Sequence, residues 1–194
     1  YAAGDVAGAN LATIGTSQAV RMVRKAFGSG HVVGSKLNGF NPFGIWTVPE
    51  IAWAGITEEK AKADGLSYGV STVRYNQTIR GCISAEIGFL KLIFDNSNGC
   101  VLGVHIFGEN ACDLINYGAE VVISSDTVYD ILRMVFPAVT FHMLYHHAAQ
   151  SAKLQMTLSP ALTPRGRLSG LLETNRLEGK DKHIGGEGVR THEV

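Results

Sequence analysis

Charge and cysteine are both scarce. Charged residues make up 18% of the 194 positions, Lys+Arg and Asp+Glu number 17 each, and the formal net charge is zero. No global field draws such a chain to nucleic acid or to an acidic membrane surface. The three cysteines, Cys82, Cys100 and Cys112, are odd in number and form neither a CxxC nor a CxxxxC. Buried free thiols in a reducing, intracellular setting are the expectation, without a redox-active pair. No apolar run is long enough to span a bilayer, so no membrane span is expected. A strand–GxGxxG–helix is also missing. Gly28-Ser-Gly-His-Val-Val-Gly34 is spaced GxGxxxG and follows a helix instead of a strand, so it reads as a connection with Gly28 closing the helix. The chain starts at Tyr1, not Met, within the strand-like run YAAGD, and a missing or separate upstream part is expected.

What is present is apolar and patterned. Hydrophobic residues reach 45%, and Gly is high at 23 residues. The organising stretch runs over residues 88–125. Leu90, Leu92 and Phe94 alternate with Phe89, Lys91 and Ile93, residues 95–99 (DNSNG) supply turn chemistry, and residues 101–107 form a second apolar run of strand length. Gly99 can take a positive φ at little cost. This spacing predicts an antiparallel hairpin with a loop of four or five residues. The period then changes. Ala111, Leu114, Ile115, Gly118, Val121 and Val122 recur at three and four, with Asn110 placed to cap the start. An amphipathic helix packed on the hairpin makes the fold α+β, an antiparallel sheet covered by helices.

Elsewhere the pattern predicts a short strand at residues 1–5 ending in a Gly-Asp corner, then a helix over residues 11–27 with Arg21, Arg24 and Lys25 near its negative end. Residues 45–57 open a second domain, with Pro49 at a strand start or edge. Thr57-Glu58-Glu59 caps a short helix that Asp64-Gly65 ends, and residues 67–76 form another strand. Trp46 and Trp53 are expected in the core, as are His105 and Cys100, unless an interface takes them. His142 and His146 lie four apart on an expected helix, but no third ligand stands at a recognisable spacing, so no metal site is expected. From Leu154 onward no period holds, and a tail is expected with at most one helical turn at residues 168–177.

The opening YAAGDVAGANLATIGTSQA resembles the second flavin-binding motif of the FAD-dependent pyridine nucleotide-disulfide oxidoreductases. That resemblance implies a Gly4-Asp5 corner whose Asp5 carboxylate takes a ribitol hydroxyl, with Leu11 and Ala12 near the pyrimidine side of the flavin ring. The chemistry is compatible, since a carboxylate accepts from hydroxyls and helix N-terminal amides favour developing negative charge. Thr47-Val-Pro-Glu-Ile-Ala-Trp-Ala-Gly55 followed by Thr57-Glu-Glu is similar to the start of the same family's dimerisation (interface) domain. The likeness continues to about Ala152, with residues 85–94 and 101–109 nearest to the soluble pyridine nucleotide transhydrogenase and dihydrolipoamide dehydrogenase branches. The division it implies is residues 1–28 as the end of an FAD-binding domain, 29–44 as a linker, 45–153 as the dimerisation domain and 154–194 as an irregular tail.

One departure from the family bears on chemistry. Disulfide-reducing members place a His-Pro-Thr and a following Glu as an acid–base dyad that reaches the partner's flavin and thiols. The corresponding stretch here is Phe136-Pro-Ala-Val-Thr-Phe-His-Met143. Thr140 matches, whereas Ala138 stands at the His, Val139 at the Pro and Met143 at the Glu. A methyl group cannot shuttle protons. Hydride passage between nicotinamide and flavin needs no such dyad. The resemblance thus implies the flavin-contacting and dimerising part of a transhydrogenase-like flavoprotein, which binds FAD together with another chain or a missing half and pairs with a homologous chain. No catalytic residue is expected within it. The alternative is a non-catalytic structural subunit of a larger, mitochondrial assembly.

Overall fold

The computed structural model describes residues 1–8, 11–28 and 41–162 of the chain. Its backbone divides into two units, Tyr1–Leu154 and Gln155–Val194. In chain order, a 3-10 turn (Asp5–Ala7) and α1 (Ala12–Phe27) precede β1 (Phe43–Ile45), β2 (Ile51–Gly55), α2 (Glu58–Ala63) and β3 (Tyr68–Arg74). A second 3-10 turn (Tyr75–Gln77) and α3 (Ile79–Ser84) lead to β4 (Phe89–Asp95) and β5 (Val101–Phe107). The helices α4 (Ala111–Ser124), α5 (Val128–Arg133) and α6 (Met143–Leu162) follow.

The strands form one antiparallel sheet in the order β1-β2-β5-β4-β3. The expected hairpin is its centre. Gly99 adopts φ 77°, its amide donates to the Asp95 carbonyl at 2.8 Å, and the Asp95 carboxylate accepts from the Ser97 amide at 2.7 Å. These bonds lock the reversal, and the Ser97 hydroxyl, joined by the Ser97 amide, holds the Asp95 carboxyl below the usual carboxylate range. A register shift at Ile93/Phe94 takes up one residue as the strands enter this turn.

Strand alternation sends two residue sets to opposite faces. Ala52, Ala54, Val73, Leu90, Leu92, Val104 and Ile106, each at most 3% exposed, look inward. The stripe of α4 anticipated from its period lies buried over β2 and β5. Close approach requires a glycine there, since a Cβ at Gly118 would stand 2.7 Å from the Tyr145 hydroxyl and 3.0 Å from Val104. Fully buried Tyr145, on α6, donates its hydroxyl to the Leu114 carbonyl at 2.8 Å, and Ser71 on β3 donates to the Ala148 carbonyl at 2.8 Å. Both buried hydroxyls are therefore satisfied, and together they clamp α6 to α4 and to the sheet.

Several expectations are corrected. Residues 1–5 form no strand; Asp5 starts a 3-10 turn, and residues 1–3 pair with no described strand. Pro49, expected at a strand start or edge, lies in the connection of the β1–β2 hairpin, with Ile45 opposite Ile51. The expected linker therefore ends in β1. Trp46 is 75% exposed in that turn, whereas Trp53 stacks on Phe43 at 5.1 Å. Asn110 does precede α4, but at φ 60° and with no side-chain cap. The thiols are free yet not buried: Cys82 is exposed, Cys100 and Cys112 half-buried. His142 sits just before α6, not in it, and α6 itself continues to Leu162 through the start of the expected irregular tail. The glycine run at residues 29–34 and the possible turn at 168–177 lie outside the described residues.

Candidate functional site

Three places could carry function: the N-terminal corner, the loop between α5 and α6, and the outer face of the sheet. At the corner, Gly4 takes φ 84°, a conformation that favours glycine. Its amide donates to Gln18 Oε1 on α1 at 2.9 Å, and its carbonyl accepts from Ala7 at 2.8 Å, so the turn is tied to the helix. Asp5 is exposed, and its carboxylate takes no hydrogen bond or salt bridge among the described residues. Leu11, half-buried and extended, is the N-cap of α1 and supplies no side-chain cap; exposed Ala12 is the first helical residue. The first amides of α1 thus lack a side-chain acceptor from Leu11, as such helix ends do when uncapped. The structure brings Gly4 and Asp5 to one turn and Leu11 and Ala12 to the helix start. Among the described residues the Asp5 carboxylate has no partner and Leu11 gives no side-chain cap, and nothing among them fits the pyrophosphate of a flavin.

In the loop between α5 and α6, Ala138 is exposed and Met143 half-buried at the helix start. Thr140 donates to the Pro137 carbonyl at 3.0 Å. His142 stacks near Phe136 with ring centres 6.1 Å apart, and it bonds to no carboxylate among the described residues. Met134 (49% exposed), Val135 (93%) and Val139 (50%) make the loop apolar. It cannot move a proton by a paired acid and base.

The outer face of the sheet is graded. At one end Gly55 opposes Gly103, and a Cβ on Gly103 would meet the Ile56 carbonyl at 2.2 Å, so the segment entering α2 covers this end. The next cross-strand row is Trp53, His105, Lys91 and Thr72. There Lys91 Nζ meets Glu58 at 2.7 Å, and His105 Nε2 lies 3.0 Å from the Ile56 carbonyl. Burial pushes the His105 pKa down, only partly opposed by that carbonyl, so a neutral ring donating to Ile56 accounts for the contact. The last row, Ile51, Phe107, Phe89 and Arg74, is uncovered. Phe89 and Phe107 stack at 5.8 Å and floor two adjoining grooves of about 720 Å³ and 320 Å³. Sequence reading missed both α3 and this surface. Ile79, Ile83 and Ile87 at steps of four, all exposed, were the available signal.

A five-stranded antiparallel sheet with helices on its inner face, following a Gly-Asp turn and a helix, defines an interface domain of the FAD-dependent oxidoreductase class. The chain belongs to the pyridine nucleotide-disulphide oxidoreductase family, whose dimerisation domain matches residues 41–149. It is 31% identical over 153 residues, 77% of this chain, to a soluble pyridine nucleotide transhydrogenase of Mycobacterium bovis, and 37% identical over 125 residues to a dihydrolipoyl dehydrogenase of Buchnera aphidicola, 59% of this chain. It spans 32% and 24% of those two proteins respectively. Among solved structures, LpdA of Mycobacterium tuberculosis superposes with a TM-score of 0.70 at 25% identity, covering 78% of this chain and 33% of that one. The flavoprotein disulfide reductase RclA of Escherichia coli superposes with a TM-score of 0.69 at 20% identity, over 77% of this chain and 35% of its own; this match speaks to the fold alone. Among the described residues no helix is long and apolar enough to cross a membrane.

Proposed function

We propose that the chain is the flavin-contacting and dimerising part of a transhydrogenase-like flavoprotein, acting with FAD and NAD(P) domains carried outside these residues. When bound, FAD accepts and returns the hydride exchanged with NAD(P)H. The chain's own residues position it. Gly4 makes the turn, Asp5 offers its free carboxylate to a ribitol hydroxyl, and the helix start at Leu11 and Ala12 faces the ring with backbone amides. The domain over residues 45–153 pairs with a second copy or a homologous chain. The observation that carries the choice of activity is the loop over residues 134–143. With Ala138 and Met143 in place of a proton-transferring pair, thiol reduction loses its acid–base step and hydride exchange does not. The family's transhydrogenases among the relatives support the same reading. A purely structural role in a mitochondrial assembly gains no support from the transhydrogenases and the dihydrolipoyl dehydrogenase of bacteria to which the chain is similar.

Half a flavin site offers too few contacts to offset the entropy lost on binding. The isolated chain should therefore leave FAD fluorescence unchanged on titration, whereas Asp5→Ala should lower the flavin-to-protein ratio of the native complex. A silent Asp5→Ala in a flavin-containing complex would remove the corner from the site. The same complex should exchange hydride between nicotinamides and reduce neither lipoamide nor glutathione through this chain. Thiol reductase activity that depends on this chain would overturn the choice of reaction.

A further inference from the structure

We infer that the groove of about 720 Å³ between α3 and the outer face of β3 and β4 binds a small zwitterion with a flat apolar side chain, of which a free aromatic amino acid is the simplest form. The inference stands apart from the flavin reading. The floor is aromatic: Phe89 and Phe107 oppose each other on β4 and β5 with ring centres 5.8 Å apart. A ring laid on this pair, against exposed Ile87 on the wall, gains apolar contact and offset stacking together. The wall itself is fixed by close packing. Thr78 caps α3, its hydroxyl accepting from the Gly81 amide at 3.1 Å and donating to the Tyr75 carbonyl at 2.9 Å. A side chain at Gly81 would collide with the Tyr75 carbonyl, and one at Gly88 with the Phe107 carbonyl, so both glycines let α3 and the approach to β4 close on the sheet. A groove of ligand size that is formed before its ligand arrives keeps the ordering cost of binding low.

Charge selects the ligand. Arg74 stands directly opposite Phe89 across β3 and β4, and Glu86 borders the same groove on the approach to β4. Both side chains are exposed, and neither enters a salt bridge among the described residues. Lys91, also on the groove, is already held by Glu58 at 2.7 Å. Among the described residues this leaves the groove an unpaired guanidinium and an unpaired carboxylate beside an aromatic floor. A guanidinium takes a carboxylate by two parallel hydrogen bonds, and a carboxylate takes an ammonium. A plain anion would meet repulsion from Glu86 and a plain cation from Arg74, so a ligand carrying both charges next to a ring is the complementary one.

Isothermal titration calorimetry on the full 194-residue chain tests this with L-tryptophan, with indolepropionate, which lacks the ammonium, and with tryptamine, which lacks the carboxylate. L-tryptophan should bind, and each of the other two should bind at least about 10-fold more weakly, the loss of one charge-assisted hydrogen bond. Arg74→Gln should weaken L-tryptophan by a similar factor and leave tryptamine no weaker. Glu86→Gln should weaken L-tryptophan and leave indolepropionate no weaker. Both positions are exposed, and circular dichroism confirms that each variant is folded. No heat of binding from L-tryptophan at millimolar concentration overturns the site. So does tighter binding of either analogue, or uptake of all three compounds that ignores both substitutions. L-tryptophan binding that vanishes as the protein concentration rises would make a second copy the occupant, and overturns it as well.

Discussion

The two faces of the sheet obey opposite rules. Inward, Leu90, Leu92, Val104 and Ile106 are sealed by α4 and α6, and the buried hydroxyls of Ser71 and Tyr145 have backbone acceptors. Outward, cover thins row by row, from Gly103 under the α2 segment, through the His105–Lys91 row, to half-buried Phe107 and to Phe89 at 37% exposure. The inner face needs nothing further to be stable. The outer face keeps a row that no helix among the described residues covers. The difference teaches that strand alternation alone does not separate core from interface. Both faces of β4 are rich in large apolar side chains, and only the placement of helices tells them apart.

That contrast can be broken most violently from inside. Leu92→Glu buries an unpaired carboxylate at a site with no exposure, and should cost on the order of 4 kcal/mol or more. A urea midpoint unchanged from wild type would mean that the inner face is not sealed. Tyr145→Phe is the subtler probe of the same face. Losing the bond to Leu114 should cost about 1 kcal/mol in urea denaturation.

The pH dependence follows from the same burial. Desolvation raises the pKa of both Tyr145 and Tyr75 well above the ordinary tyrosine range. Their contribution is therefore whole below the unfolded value of about 10 and is lost as pH rises beyond it. Tyr145→Phe should remove its share of that alkaline decline. On the outer face His105 acts at the other limb. Its folded pKa is lowered by burial, with the Ile56 carbonyl, Lys91, Glu58 and Glu59 around it. Stability tied to it is present above the unfolded value of about 6.5 and falls as pH drops below that value. Melting profiles of His105→Gln against wild type should differ in slope only on the acid side.

Smaller effects sharpen the comparison on the lip and the outer row. Ala85 holds φ 55° at the end of α3, a left-handed conformation that costs an alanine about 1 kcal/mol, so Ala85→Gly should raise the thermal midpoint slightly. Lys91→Met should change stability by about 0.5 kcal/mol or less, because the pair with Glu58 is partly solvated at side-chain exposures of 26% and 38%. A loss several times larger would mean that the outer row holds the monomer together and is not merely waiting for a partner.

Much of this was legible in the sequence, for identifiable reasons. The β4–β5 hairpin declared itself because alternation, a DNSNG turn and a change to helical period agreed, and Thr57 caps α2 as its spacing implied, its hydroxyl accepting from Lys60 at 3.2 Å. The Thr127–Asp130 capping box of α5 was equally readable yet overlooked, although both partners stand three apart. Residues 1–5 misled because small apolar residues resemble a strand, while a strand exists only with a neighbour to pair with. Trp46 misled because bulk predicts burial only on average. The Phe89 face was invisible for a deeper reason: no periodicity says whether a second apolar face meets a helix of its own chain or the surface of another. At the N-terminal corner the motif named Gly4, Asp5, Leu11 and Ala12, and the absence of a partner for the Asp5 carboxylate among the described residues is a structural detail that spacing could not supply.

The central claim, that this chain works as part of a flavoprotein, is tested most directly by the visible absorbance of the native complex purified with it. The account predicts a flavin spectrum, with the chain accompanied by FAD and NAD(P) domains. A pure native particle containing this chain but neither flavin nor any FAD-binding domain would contradict it.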